Sequence, residues 1–339
     1  MTPGTVQFLR TAAITMATAL VGFPAAWGAF ALWYQIPGGH VSKTLGVVLW
    51  VAFSITMLIL LWHGRLTIGV IAFALAFASL LVWWVQLQPT NNHVWADDVA
   101  RVTSGAVDGN RVTLHGVRNF EWRTETDYTP RWETRSYDLD RLRSVDMVMS
   151  YWRGPAIAHM LISFGFDGGS YVVFSVEVRR QMTQEFSEIG GFFKEFELSV
   201  IAADERDVIR LRTNVRGEDD YLYRLQLPVP AMRALFLGYV GEANNLVDTP
   251  RFYNTITVNC TTLVYHMMKR IVGRLPLDYR LLFSGYLPAY VYGVGGLDRR
   301  YSLEELRQRG RITERAKQSD RSDTFSADIR RNVPGIDER

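Results

Sequence analysis

The chain has a single cysteine, Cys260, among 339 residues. Without a second thiol an internal disulfide is excluded. In an oxidising compartment an unpaired thiol is a liability that usually has a chemical use; its structural alternative is a buried side chain acting as a small hydrophobe. Acidic residues are missing altogether before Asp97, and Lys and Arg there are limited to Arg10, Lys43 and Arg65. The net charge is only +3, and no basic stripe with interleaved aromatics occurs, so nucleic acid is not an expected partner. No Cys pair or His pair stands at metal-ligand spacing. Gly190-Gly191 and Gly293-Val294-Gly295-Gly296 lack the Walker and dinucleotide patterns, so no cofactor is expected. Internal repeats and low-complexity tracts are absent.

What the first part has instead is hydrocarbon. Apolar runs fill residues 11–34, 45–62 and 67–87, each close to the ~20 residues a helix needs to cross ~30 Å of bilayer core. Trp33, Tyr34, Trp50, Trp62, Trp83 and Trp84 fall mostly near the ends of these runs, as interfacial belts do. The first run is long and no small-residue cleavage site follows it, which argues against a removed signal peptide. The sequence therefore predicts a three-helix anchor over residues 1–88, a globular domain over 89–297 and a charged tail over 298–339. The tail is expected to be a surface wrap or partly disordered. Arg10 and Arg65 would share one side and Lys43 and Arg101 the other, so charge does not decide orientation. An odd number of spans puts the N-terminus and the large domain on opposite faces. With the N-terminus inside, the domain lies outside the cytoplasmic membrane.

In the globular part, residues 102–117 read as a hairpin turning at Asp108-Gly109-Asn110. Residues 121–135 read as an extended surface segment, and 145–151 as a strand. Residues 158–166 and 171–179 are β-rich runs joined by Asp167-Gly168-Gly169-Ser170. A three-residue loop there would set His159 opposite Glu177, whereas an even loop would bring Val178 there and turn Glu177 away. Residues 195–201 and 208–212 suggest further strands, and 230–246 a helix. From Cys260 an amphipathic helix runs through Leu263, Val264, Met267, Met268 and Ile271 to a stop at Gly273, with Asn259 as N-cap. Cys260 then sits on the first turn, where free N–H groups and the helix dipole favour thiolate. Residues 303–309 read as a short helix.

A thiol at a helix start, a strand histidine and a polar group to orient it are the parts of a Cys–His acyl-transfer site. His159 is the base that the pattern favours, with a satisfied strand histidine as the structural alternative. His93 and His115 remain open as bases. His266, six residues after Cys260 on the same helix, is turned away from the thiol.

Several blocks in order resemble one known family. They are Asp108-Gly109-Asn110, Val117-Arg118-Asn119-Phe120, residues 124–133, Ala158-His159 with Ser163-Phe164-Gly165-Phe166, and Ser175-Val176-Glu177-Val178-Arg179. Residues 203–207, Arg210-Leu211-Arg212-Thr213-Asn214 and Tyr253-Asn254 with Asn259-Cys260-Thr261-Thr262 complete the set. Together they resemble the Lnb N-terminal periplasmic-domain family, associated with bacterial lipoprotein N-acyltransferases, from about residue 95 to about 295. The order of His strand before Cys helix is similar to the permuted papain-like group that includes lecithin:retinol acyltransferase. The resemblance implies an α+β, papain-like permuted domain with an antiparallel sheet and a Cys-bearing helix. It makes Cys260 the nucleophile and His159 the base, with Glu177, Ser163 or Ser175 as the third member. Asn254, Asn259, Ser163, Arg179, Arg210 and Arg212 are candidates for substrate binding, the arginines through a lipid phosphate. Arg216 joins them in that role, and the alternative for these arginines is a solvated strand face or an ion-pair network with Asp204 and Asp207.

The expected function is a membrane-anchored thiol acyltransferase that takes a phospholipid or lipoprotein ester and passes the chain to the N-terminal amine of lipoproteins. A cysteine hydrolase of peptide or peptidoglycan amides is the second expectation. A non-enzymatic envelope binding module is the third.

Overall fold

The computed structural model describes residues 3–336. The chain divides into two units, one of residues 1–89 with 187–195, the other of residues 90–186 with 196–339. In the first unit, helices α1 (Pro3–Gln35), α2 (His40–Trp62) and α3 (Leu66–Gln86) coincide with the three apolar runs. All three are long and apolar enough to span a membrane. Ala17, Val21, Met57, Leu61 and Phe73 bury one another between them, and Trp50 Nε1 donates to the Ala25 carbonyl at 2.8 Å. The outward faces keep large apolar side chains exposed, among them Leu49, Ile59, Leu75 and Val85. That pattern suits hydrocarbon as solvent rather than water. Residues 187–195 belong to this unit: Phe193 stacks on Phe30 and Tyr34, and Gln35 Nε2 donates to its carbonyl at 2.7 Å.

The second unit is mixed helix and sheet. Strands β1 (Ser104–Asp108) and β2 (Arg111–Arg118) form the predicted first hairpin, with Asp108 paired to Arg111. The extended segment becomes a small ladder of β3 (Glu121–Trp122) and β4 (Tyr128–Thr129), then β5 (Trp132–Asp138), which pairs with β2. Strands β6 (Leu142–Arg153), β7 (Ile157–Phe166), β8 (Ser170–Arg179) and β9 (Glu197–Ala203) follow. The sheet has eight strands, ordered β1-β2-β9-β8-β7-β6-β10 with β5 off this path on β2. Its last member, β10 (Asp219–Arg224), pairs with β6. All pairings are antiparallel except the single parallel contact of β2 with β9 at Arg118 and Ala203.

The predicted strand at 208–212 is helical. Residues 205–210 form α4 (Glu205–Arg210), followed by a wide turn over Leu211–Val215. The β-branched Val208-Ile209 pair suggested a strand, but Asp204 caps the helix by accepting from Arg206 N. Glu205 and Asp207 in the first turn favour the helix through its dipole.

Helix α5 (Val229–Asp248) and helix α6 (Cys260–Val272) pack on one face of the sheet. Phe164, Phe174, Phe236 and Tyr239 form the centre of this core. Helix α7 (Leu287–Gly293) closes the same side through Leu287 and Tyr290. The other face is covered by α4 and the C-terminal segment, which contains α8 (Leu303–Gly310), α9 (Thr313–Gln318) and α10 (Phe325–Asp328).

Of the two expectations for the tail, a surface wrap or partial disorder, the second does not hold for the described residues. Ile312, Ala316, Phe325, Ile329 and Val333 are buried in the second core. Arg330 is buried with them and reaches Asp146 Oδ2 at 2.9 Å and Glu205 Oε2 at 2.8 Å. Residues 337–339 of the predicted tail lie outside the described residues.

Candidate active site

Cys260 opens α6, as its sequence context predicts. Asn259 Oδ1 accepts from Thr261 N and Thr262 N, and Thr262 Oγ1 accepts from Asn259 N at 2.9 Å, closing a capping box. Gly273, with φ of +86°, ends the helix where a side chain would be strained. The thiol is buried and within hydrogen-bonding reach of His159, the Met160 backbone N–H and Thr261.

How a helix start on one face of the sheet reaches a histidine of β7 follows from the strand register. Strands β7 and β8 turn through Asp167, Gly168 and Gly169, the two glycines at φ of +84° and +74°. This is the three-residue loop that places His159 opposite Glu177. Their pairing runs from Phe166 with Ser170 only as far as Leu161 with Ser175. Beyond that point the strands separate, β7 staying with β6 through Ser150 and His159, β8 with β9 through Glu177 and Ser199. α6 contacts both strands, so the thiol enters where the ladder is open.

Period-two alternation puts His159 of β7 and Ser175 and Glu177 of β8 on one face. His159 Nε2 lies 2.7 Å from Ser175 Oγ and 3.2 Å from Glu177 Oε1. Ser175 donates to the same carboxylate oxygen at 2.6 Å. Arg212 Nη2 donates to it at 3.3 Å, while its Nη1 donates to Glu218 Oε2 at 3.1 Å. Ser150, directly across β6 from His159, bonds Glu218 and Asp220. The residues around His159 thus form a continuous polar network.

The electrostatics follow from this geometry. Burial alone would lower the His159 imidazole, and Arg212 also opposes its charge. The Glu177 carboxylate outweighs both, helped by the hydrogen bond to Cys260, and His159 is pushed up to about 9. Burial would raise the Cys260 thiol, but the hydrogen bond and charge of His159, then the Met160 N–H, bring it below its usual value. Glu177, despite burial, is held well below the carboxylate range by His159 and Arg212. Burial pushes Asp220 up to about 7, against the bond from Ser150. A carboxylate that stabilises imidazolium beside a depressed thiol is the arrangement that makes a thiolate nucleophile near neutral pH.

The other sequence candidates are placed differently. Ser163 lies on the same face of β7 but bonds Glu205 and Arg330, away from His159. Arg179 donates to the carbonyls of Val99 and Ala100 and to Asn91 Oδ1, stacked over Trp95. Arg210 holds Asp320 and the Trp122 carbonyl. Both therefore tie other segments to the domain; of the four arginines Arg212 reaches Glu177 of the Cys260–His159 group, while Arg216 pairs with Glu125 and Glu218. Asn254 accepts from Ile256 N and Thr257 N in the turn before α6. Asp207 pairs with Arg118 rather than with these arginines, and Asp204 with Arg135. His93 faces Glu197 at 3.8 Å, His115 meets Thr134 on an exposed edge, and His266 is exposed on α6. Ser150, Glu218 and Asp220 were not singled out from sequence. The acidic run Glu218-Asp219-Asp220 directly before Tyr221-Leu222-Tyr223 is the signal that could have found the two carboxylates. Among the described residues no group of His, Cys, Asp and Glu is arranged to hold a metal.

Three helices long and apolar enough to span a membrane, and a mixed α and β domain that brings Cys260, His159 and Glu177 together, define the class: a membrane-anchored protein with a thiol-bearing domain. Residues 128–285 match the Lnb N-terminal periplasmic domain family, the family that the sequence blocks resemble. The matched stretch is narrower than the resemblance over 95–295, and it contains His159, Glu177, Arg212 and Cys260. No curated protein and no solved structure matches the chain.

Proposed function

We propose that this protein is a thiol acyltransferase of the cell envelope, anchored in the inner membrane by its three helices with the thiol domain in the periplasm. The observation that carries the reading is the single thiol at a capped helix start, beside a histidine held by Glu177. The Cys260 thiolate attacks the carbonyl carbon of a phospholipid or lipoprotein ester. The ester C–O bond breaks, and the leaving oxygen takes the proton of the His159 imidazolium, so that a hydroxyl departs and an acyl thioester remains. An amine nitrogen then attacks the thioester carbon and the C–S bond breaks. The amine proton passes to the neutral imidazole, restoring the thiolate–imidazolium pair. A thioester is reactive toward an amine without a metal or cofactor, and the N-terminal amine of a lipid-modified cysteine is the acceptor this reading favours.

The test uses the full chain in detergent with phospholipid bearing an isotopically labelled acyl chain. Peptide mass mapping should find the label on Cys260 and release it with hydroxylamine; Cys260→Ala should carry none. Acyl transfer that persists in Cys260→Ala would overturn the assignment.

A further inference from the structure

A cavity of about 230 Å³ lies in the thiol domain between the sheet and helices α6 and α7. Met160, Ile162, Thr261, Val264, Met268 and Val291 are among its lining residues. Thr261 Oγ1 is 3.9 Å from Cys260 Sγ. One end of the cavity therefore begins a residue away from the sulfur. Along α6 the lining continues to Val272, a run of about 16 Å at 1.5 Å per residue. Val272 and Val294 at that end are exposed.

The cavity is almost wholly apolar. It is about half as large again as the ~150 Å³ cavity that takes benzene, which corresponds to roughly eight to ten carbons. The surface next to its outer end is apolar too. Leu277, Tyr279, Leu282, Phe283 and Tyr286 are all at least 40% exposed, and Leu277, Tyr279 and Leu282 line a shallow second depression that shares Tyr265 and Leu281 with the cavity. A contiguous exposed patch of this kind on a soluble surface marks a binding or membrane-contact face. A peptide would need polar groups to meet its backbone, and the lining supplies few. A single alkyl chain needs none.

We infer that this cavity receives the acyl chain of the donor, with its carbonyl at Cys260 and its methyl end toward Val272, loaded across the apolar patch from a lipid surface. The inference deepens the proposed function and rests on it for the thioester. It sets the chain length that the site can grip.

Two arms test it on the full chain in detergent. In the first, Cys260 is acylated by p-nitrophenyl esters from acetyl to hexadecanoyl, read by mass on the Cys260 peptide. Acylation should rise by about fourfold per methylene until the cavity is filled, then flatten. Val264→Phe and Val291→Trp should each move that plateau to shorter chains. The ratio of long-ester to acetyl rates should fall about tenfold or more, since a ring displaces two or more methylenes. Acylation of Cys260 that is indifferent to chain length would overturn the cavity assignment and leave the thiol chemistry standing. In the second arm, Cys260→Ala protein is irradiated with a diazirine-bearing hexadecanoic acid. Label on peptides covering residues 260–272 and 287–296 supports the site even where no ester acylates the thiol. Label confined to the membrane-spanning helices overturns it.

Discussion

Exchanging Glu177 for glutamine isolates the charge that tunes the thiol, because Glu177→Gln keeps the shape of the side chain and removes its charge. His159 is pushed from its ordinary 6.5 up to about 9, an interval worth about 3 kcal/mol at 1.36 kcal/mol per pKa unit. Burial and Arg212 both act against the imidazolium, so without Glu177 the imidazole should fall to its ordinary value or below. At pH 7.5 the imidazolium would then drop from nearly complete to roughly a tenth of the population. The thiol loses the charge that depresses it and rises. Because Cys260 is the only cysteine, alkylation of the whole protein by iodoacetamide reads this one sulfur without background. The wild type should alkylate readily at pH 7. In Glu177→Gln the midpoint of the pH–rate curve should move up by about one unit or more, and the rate at pH 7 should fall about tenfold or more. Thermal melting checks that the variant is folded. An unchanged pH–rate curve in a folded variant would refute the claim that Glu177 sets the charge of the pair.

Other expectations follow from single side chains. In a Cys260→Ala background the bond from the thiol is gone but Glu177 still raises His159, so His159 should contribute stability that is complete below about pH 6.5 and lost as pH rises toward 9, on the order of 2 kcal/mol; denaturant titrations of that protein and its His159→Gln partner should converge in alkali, and parallel curves would contradict this. Asp207 is fully buried and accepts from Arg118 Nε, Phe120 N and Trp122 Nε1, so Asp207→Ala should cost about 3–5 kcal/mol by stranding a buried guanidinium, read as a lower melting temperature. Asn259→Ala removes the capping box and should cost about 1 kcal/mol; it should also slow alkylation of Cys260 at pH 7, whereas a purely structural cap would leave the alkylation rate of the folded protein unmoved.

The parts of this molecule that were legible in the sequence are those where local pattern and tertiary need agree. The uncharged runs before Asp97 had no other stable solvent than lipid or each other. Gly168-Gly169 between two β-rich runs marked the hairpin, but the pattern left its register open, and it is the three-residue loop of the structure that sets His159 opposite Glu177. Asn259 and Gly273 marked both ends of the thiol helix. Where pattern and context conflicted, the reading went wrong. Val208-Ile209 looks like strand, yet the capping Asp204 and buried Asp207, tied to Arg118, hold the segment helical. The charged C-terminal residues look solvated, but Arg330 is neutralised by Asp146 and Glu205, which lie more than 120 positions earlier. Arg179 and Arg210 looked like phosphate ligands because composition cannot reveal that backbone carbonyls and Asp320 already occupy them. The cavity beside Cys260 was invisible for a similar reason: its walls come from β6, β7, α5, α6 and α7, and only packing brings them together.

The most direct measurement is the mass of N-terminal lipopeptides released from lipoproteins of cells carrying either the intact protein or its Cys260→Ala variant. The account predicts lipopeptides with an N-acyl chain in the first and a free amine in the second, at equal levels of the two proteins. Identical lipopeptides from both strains, with peptidoglycan fragments that differ, would contradict acyl transfer and turn the same thiol into a hydrolase.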